Sequence, residues 1–158
     1  MGTEELKSKI TELLASATFD EGGEWLNIVI APKEWLPFAK QLRNESSLQF
    51  DFLFCVTCID WSQTPAGKTH LTMVYHLRST GFRHDIVVRA TLDRTNPEIQ
   101  SISDIWKTAI FHEREVYEMF GVNFLNHPDL RLLILPDGWE GKNPMRKDFV
   151  DEVNMIKL

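Results

Sequence analysis

What this chain has little of narrows it first. It carries two cysteines in 158 residues, no more than half of a zinc site built on four thiolates. No run approaches the roughly 20 apolar residues needed to cross a bilayer. Positive charge is in deficit: 17 Lys and Arg against 23 Asp and Glu leave a net charge of −6. That disfavours a nucleic-acid binder, because phosphate contacts demand a basic face. A Gly-rich phosphate loop and a G-x-S-x-G elbow are both missing. The opening residues, MGTEELKSKITELL, lack the apolar stretch of a secretory signal, so the expected compartment is the cytosol or a membrane surface facing it.

The two cysteines, Cys55 and Cys58, form a C-x-x-C within FDFLFCVTCID. That segment reads as a strand, where a three-residue separation sends the side chains to opposite faces. A redox dithiol would sit at a helix start instead, and a zinc site would need a second ligand pair. Two small, half-buried residues are expected.

What is present is aromatic: ten Phe and five Trp against two Tyr, enough for one domain with a substantial core. Thr3 with Glu4 and Glu5 is expected to cap a first helix with Leu6, Ile10, Leu13 and Leu14 on its apolar face. Gly22 and Gly23 break the chain before a strand over 25–31, and Pro32 suits the start of a helix bearing Trp35, Phe38, Ala39 and Leu42. Three alternating stretches follow. Residues 50–61 set Phe50, Phe52, Phe54 and Val56 on one side. Residues 69–78 do the same with Leu71, Met73, Tyr75 and Leu77, and residues 82–92 with Phe82, Ile86, Val88 and Ala90. Such period-two patterns with one polar side imply a sheet covered on one face. The connections over 63–68 and 79–81 suit antiparallel neighbours. The expected fold is α+β: a mostly antiparallel sheet with helices packed on one face, then a long helix and an extended C-terminal arm. The corresponding division is 1–125 for the domain and 126–158 for the arm.

The long helix is expected between a capping box at Ser101 to Asp104 and a C-cap at Gly121, up to about five turns with a kink near 108–111. On its wheel Ile105, Trp106, Ala109, Ile110, Val116, Tyr117 and Phe120 share an apolar arc, and Glu113 lies near the middle. A carboxylate there is costly unless paired, so an internal cation or a partner must answer it. Arg114 and Glu118 are i,i+4 neighbours expected to pair at the surface. Catalysis finds no footing. His112-Glu113 begins an H-E-x-x-H zinc helix, but position 116 is valine. Glu115 points about 160° away from Glu113, so the two cannot share a substrate.

Along this stretch Glu113-Arg114-Glu115, Glu118-Met119-Phe120-Gly121, His127-Pro128-x-Leu130-Arg131, Trp139-Glu140-Gly141 and Pro144-Met145-Arg146-Lys147-Asp148-Phe149 stand in order. They resemble the signature of the respiratory complex I 30 kDa subunit family, the small C-type subunit of NADH-quinone oxidoreductase, over roughly residues 103–149. Glu118, Asn126 and Leu132 stand where the family often has Asp, Gly and Arg.

The resemblance implies a non-catalytic structural subunit of the peripheral arm of NADH:quinone oxidoreductase, supporting electron transfer from NADH to quinone coupled to proton translocation. It implies no cofactor on this chain, with FMN, iron–sulfur clusters and quinone on neighbouring subunits. The implied partners are the large hydrogenase-like subunit of the quinone site and adjacent iron–sulfur subunits. The implied place is peripheral to the inner (plasma) membrane on its cytoplasmic side, with no direct insertion.

Partner-binding residues carried over on the matched motifs are Glu113, Arg114, Glu115, His127, Arg131, Arg146, Lys147 and Asp148. Arg131, Arg146 and Lys147 are the cations expected to answer Glu113. An internal salt-bridge network that pins the arm onto the domain remains an alternative for the charged helix. The equivalent subunit of a membrane-bound [NiFe] hydrogenase, or of a ferredoxin-, formate- or F420-linked dehydrogenase, is the rival assignment; a free-standing ligand-binding protein is a third.

Overall fold

The alternating stretches form the centre of a five-stranded sheet in the computed structural model, which describes residues 2–20, 23–62, 69–151 and 153. The elements in order are α1 (Thr3–Leu13), β1 (Thr18–Asp20), β2 (Leu26–Ile30), α2 (Trp35–Asn44), β3 (Phe52–Asp60), β4 (His70–Ser79), β5 (His84–Asp93), β6 (Glu98–Gln100), α3 (Ala109–Phe120) and β7 (Asn123–Leu125). Across the sheet the order is β1-β2-β5-β4-β3, with β2 and β5 parallel and the other neighbours antiparallel. The α+β class expected from the alternation holds. A small parallel pair, β6 with β7, brackets α3. At three residues each, its strands are too short for alternation to reveal.

One face of the sheet carries the core. Leu71, Met73, Tyr75 and Leu77 of β4 and Ile86, Val88, Ala90 and Leu92 of β5 all bury there. Over them lie Leu6 and Ile10 of α1, Trp35, Phe38 and Leu42 of α2, and Val116 and Phe120 of α3, in one continuous cluster. Trp35 packs on Tyr75 with ring centroids 4.3 Å apart. Burial of each large aliphatic or aromatic side chain contributes about 1.5–3 kcal/mol. On the opposite face Val74 and Val87 are buried but lie outside that cluster, beside an aromatic group in which Trp25 and Phe54 each meet His76 at 5.6 Å.

Several local expectations are corrected. The row Phe50, Phe52, Phe54, Val56 does not share one side, because the register of β3 shifts between Leu53 and Cys55. An extra residue at a bulge reverses the alternation. Phe50 and Leu53 are therefore buried while Phe52 is 45% exposed, and Val56, Cys58 and Asp60 point inward beyond the shift. Cys58 is buried and Cys55 half-exposed. Phe82 belongs to the β4–β5 turn, not to β5, and is exposed. That turn closes through Arg83 (φ +54°), whose N–H donates to the Ser79 carbonyl at 2.8 Å. Thr3 is the first helical residue and Gly2 the N-cap, without a side-chain cap. The 63–68 connection and Gly22 lie outside the described residues.

The largest correction concerns the five-turn helix. Residues 101–108 form a series of tight turns instead, with N–H donation from Ile105 and Trp106 to the Ile102 carbonyl and from Ala109 to that of Trp106. Ile105 and Trp106 thus reach the core from turns, and the Trp106 indole N–H donates to the Phe50 carbonyl at 3.0 Å. Only three turns of regular helix remain, ended by Gly121 at φ +73° as the C-cap reading predicts. Residues 126–151 contain neither helix nor strand, only turns and bends.

Candidate functional site

α3 is built so that three of its charged residues face inward. Gly121 stops the helix, its N–H donating to the Tyr117 carbonyl at 2.8 Å. At the other end the Thr108 hydroxyl is spent on the Leu53 carbonyl at 3.1 Å, tying the helix start to β3. Between these anchors Ala109, Val116 and Phe120 enter the core, and Glu113, Arg114 and Glu118 are buried beside them.

Glu113 is completely buried. Its carboxylate accepts from the Ser101 hydroxyl at 2.6 Å and from the Ile102 N–H at 2.8 Å. Burial outweighs these donors and lifts its pKa to about 7, so near neutral pH the group is poised between its two forms. The side chain of His127 approaches it, Nε2 to Oε2, at 3.8 Å. That imidazole is occupied elsewhere: Nδ1 accepts the Asp129 N–H at 3.0 Å, which assigns the proton to Nε2 for donation to the Ile110 carbonyl at 3.1 Å. Burial also pushes the His127 pKa down. None of the cations expected to answer Glu113 does so. Arg131 pairs with Asp129 at 2.9 Å, Arg146 donates to backbone carbonyls, and Lys147 contributes its backbone N–H to Asp60. Among the described residues a hydroxyl and a peptide N–H answer the carboxyl group, and they offset its burial only in part.

Arg114 and Glu118 do not form the surface pair that their spacing suggests. Both are buried and both grip the same loop. The Arg114 guanidinium donates to the carbonyls of Arg131 (3.0 Å) and Leu132 (2.6 Å). The Glu118 carboxylate accepts from the N–H groups of Leu133 (2.8 Å), Ile134 (3.0 Å) and Leu135 (3.2 Å). Five consecutive residues outside any regular structure thus have backbone groups answered by two ionised side chains. Charge-assisted bonds of this kind are stronger than neutral ones. Glu115 alone of the Glu-Arg-Glu triplet points to solvent.

A second centre pins the far end of the arm. Asp60, turned inward at the end of β3, accepts both Nε and Nη2 of Arg94 at 3.0 Å. It also takes the N–H of Ser62 (2.9 Å) and of Lys147 (3.0 Å). Burial would raise its pKa, but the Arg94 bonds and the two N–H donors prevail and hold it far below the usual carboxylate range. Arg94 also reaches Asp148 at 2.6 Å. Next to it Arg146 donates to the Phe120 carbonyl (2.6 Å) and the Arg94 carbonyl (3.3 Å), while the Met145 N–H meets the Met119 carbonyl at 3.1 Å.

Of the expected partner-binding residues, Glu113, Arg114, His127, Arg146 and Asp148 have their polar atoms engaged within the chain. Glu115, Arg131 and Lys147 expose their side chains, Arg131 while paired with Asp129, and Asp148 is exposed as well as bonded to Arg94. Asp60 and Arg94 escaped the sequence reading. The signal was there: Asp60 keeps the inward parity of Val56 and Cys58, an odd place for a carboxylate. Burial pushes the Cys58 thiol up to about 12, which leaves it inert at neutral pH. Among the described residues no three His, Cys, Asp or Glu side chains gather as metal ligands, and no helix is long and apolar enough to cross a membrane.

Residues 28–153 match the family model described as Respiratory-chain NADH dehydrogenase, 30 Kd subunit. The chain is 42% identical over 120 residues to the C/D-type subunit of NADH-quinone oxidoreductase from Phocaeicola vulgatus, covering 75% of this chain and 22% of that protein. It is 36% identical over 121 residues to the C-type subunit of NADH-quinone oxidoreductase from Chloroherpeton thalassium, covering 75% and 48%. The match thus spans about a fifth of the first relative and about half of the second. Among solved structures, a chain of the membrane-bound sulfane sulfur reductase, an archaeal respiratory membrane complex, superposes with a TM-score of 0.80 at 26% identity, covering 95% of this chain and 86% of that one.

Proposed function

The chain belongs to the family of the respiratory-chain NADH dehydrogenase 30 kDa subunit, and on that footing we propose that it is a structural subunit of the peripheral arm of an NADH:quinone oxidoreductase. In this reading it binds no cofactor; FMN, iron–sulfur clusters and quinone belong to neighbouring subunits. It sits on the cytoplasmic side of the membrane. The large quinone-site subunit is its direct partner, with iron–sulfur subunits adjacent. The supporting observation is a fusion. In the Phocaeicola relative the matched segment makes up 22% of a polypeptide whose name joins C and D, so its equivalent there is tethered to a larger stretch of chain, which supports a direct partner of that kind here.

The geometry gives this role a physical form. A segment of about 25 residues without regular structure cannot present a defined surface unless its own backbone is satisfied and ordered first. Arg114, Glu118, Asp60 and Arg94 do that ordering within the chain. The cost of fixing the arm is then met before assembly, and docking has less entropy to overcome. Electron transfer runs through the neighbours.

The experiment is affinity purification of the tagged full chain from solubilised membranes, with identification of co-purifying subunits and NADH:quinone activity per assembled complex. The reading expects cluster-bearing and quinone-site subunits in stoichiometric amounts. It also expects variants of Asp60 or Arg114 to lower the amount of complex without changing turnover of what assembles. A co-purifying large subunit with nickel-ligating cysteine pairs would move the chain to the hydrogenase branch. Recovery as a free monomer would end the proposal.

A further inference from the structure

β3 is the outermost strand of the five-stranded sheet, and an uncovered strand edge is normally protected because its free N–H and C=O groups invite pairing. Here the protection is incomplete. At one end Trp106 and Thr108 occupy the carbonyls of Phe50 and Leu53, and at the other the backbone of Lys147 is tied to the Asp60 side chain. Between them, among the described residues, no bond from outside the sheet reaches the main chain of residues 54–59. Against that stretch lies a groove of about 200 Å³, walled by Val56 and Cys58 of β3, Val116, Met119 and Phe120 of α3, and Met145 of the arm. Thr57 completes the wall, and two large apolar side chains are exposed on the elements that form it: Phe111 at 57% and Met145 at 59%.

The single charged residue in the wall is Glu115, whose carboxylate makes no described hydrogen bond or ion pair. Its field reaches the strand, adding to burial in raising the Cys55 thiol. Phe111, Glu115 and Met119 stand at i, i+4 and i+8 on α3, so the carboxylate sits midway along an otherwise apolar stripe beside the open edge.

Resting on the scaffold reading, we infer that this groove receives an extended segment of a neighbouring subunit, which pairs with the open edge of β3, seats one aliphatic side chain between Met119 and Met145, and sets a Lys or Arg against Glu115. Edge pairing supplies affinity and the alternating side chains supply selectivity. The lone carboxylate dictates the sign of the partner, since an acidic or neutral segment would leave it desolvated and unpaired.

The test places p-benzoylphenylalanine at Met145 and, separately, at Phe111 in the full chain expressed in its native host. Both sites are exposed, so folding is preserved; Phe82, exposed in the β4–β5 turn and not part of the groove, is the control site. After irradiation of membranes the crosslinked peptides are identified by mass spectrometry. Expected from both sites is one contiguous segment of another subunit with a Lys or Arg beside the crosslink. Glu115→Arg should lower that crosslink yield roughly tenfold, with Glu115→Asp close to wild type. Crosslinks no stronger than from Phe82, crosslinks to a second copy or to residues 154–158 of this chain, an acidic segment, or no response to Glu115→Arg each overturn the inference. Because the crosslink names the occupant directly, it reads the groove even if the co-purifying complex proves not to reduce quinone.

Discussion

Replacing Glu113 by glutamine isolates the energetic consequence of a carboxyl group buried without a cation. Its pKa is raised from an ordinary 4.5 to about 7 by burial. For an acid shifted upward the folded state holds the proton longer than the unfolded chain. The stabilising contribution is therefore complete below about pH 4.5, declines as pH rises, and is lost once pH passes about 7. The gap corresponds to about 3 kcal/mol between the two plateaus, at 1.36 kcal/mol per pH unit.

Glutamine is a neutral isostere: its carbonyl can still accept from the Ile102 N–H, and its amide can donate to the Ser101 oxygen, whose own proton can turn to Ser103. Wild type and Glu113→Gln should then be nearly equal in stability at pH 4.5. By pH 8 the variant should be the more stable by about 3 kcal/mol, a rise in Tm of roughly 6–12 °C. Asp60, Asp85 and Asp148, whose pKa values are lowered, stabilise with the opposite pH dependence. They are common to both proteins and cancel in the difference. Urea unfolding of the two purified chains at intervals from pH 4.5 to 8.5 supplies that difference. A gap that does not change with pH, or a variant that is weaker throughout, would refute the reasoning. A constant gap would mean that Glu113 titrates alike in the folded and unfolded chain, and a variant weaker throughout would mean that glutamine cannot replace its bonds to Ser101 and Ile102.

Glu118→Ala strips the acceptor from three successive N–H groups and should cost about 2–4 kcal/mol. Hydrogen exchange should quicken at Leu133, Ile134 and Leu135 while β4 stays protected; unchanged exchange there would contradict the clamp. Asp60→Asn turns an amide donor toward Arg94 and leaves that guanidinium paired with Asp148 alone, at about 3–5 kcal/mol. Trypsin should then cut at Arg146 and Lys147 many times faster than in wild type, and equal cutting rates would dismiss Asp60 as the anchor. Gly121→Ala meets both a left-handed φ of +73° and an added Cβ only 2.7 Å from the Asn143 amide. A loss of about 1–2 kcal/mol with loosening of the arm around Asn143 is expected, and a variant as stable as wild type would count against both.

Much of the fold was legible because burial leaves a periodic trace. Leu71, Met73, Tyr75 and Leu77 alternate and stand on one covered face, and Leu6 and Ile10 or Trp35, Phe38 and Leu42 keep helical spacing under it. The failures fall where that trace is interrupted by contacts distant in sequence. The bulge at Leu53 to Cys55 is set by pairing with β4. The expected helix start at Ser101 gives way to turns: its oxygen still accepts the Ser103 N–H, while its proton and the Ile102 N–H go to Glu113, twelve and eleven residues on. β6 and β7 pair across the whole of α3.

The candidate site divides in the same way. Its residues could be picked out in one dimension, since a carboxylate within an apolar arc and an ordered run of motifs are properties of the string itself. Their partners could not. Arg114 and Glu118, four apart on a helix, look made for each other, yet both turn to the backbone of residues 131–135. Spacing along a helix says which side chains share a face; only the folded chain says what is packed against it. Which charge meets which group is decided by desolvation and backbone geometry at closest approach, and those exist only once distant segments have been brought together.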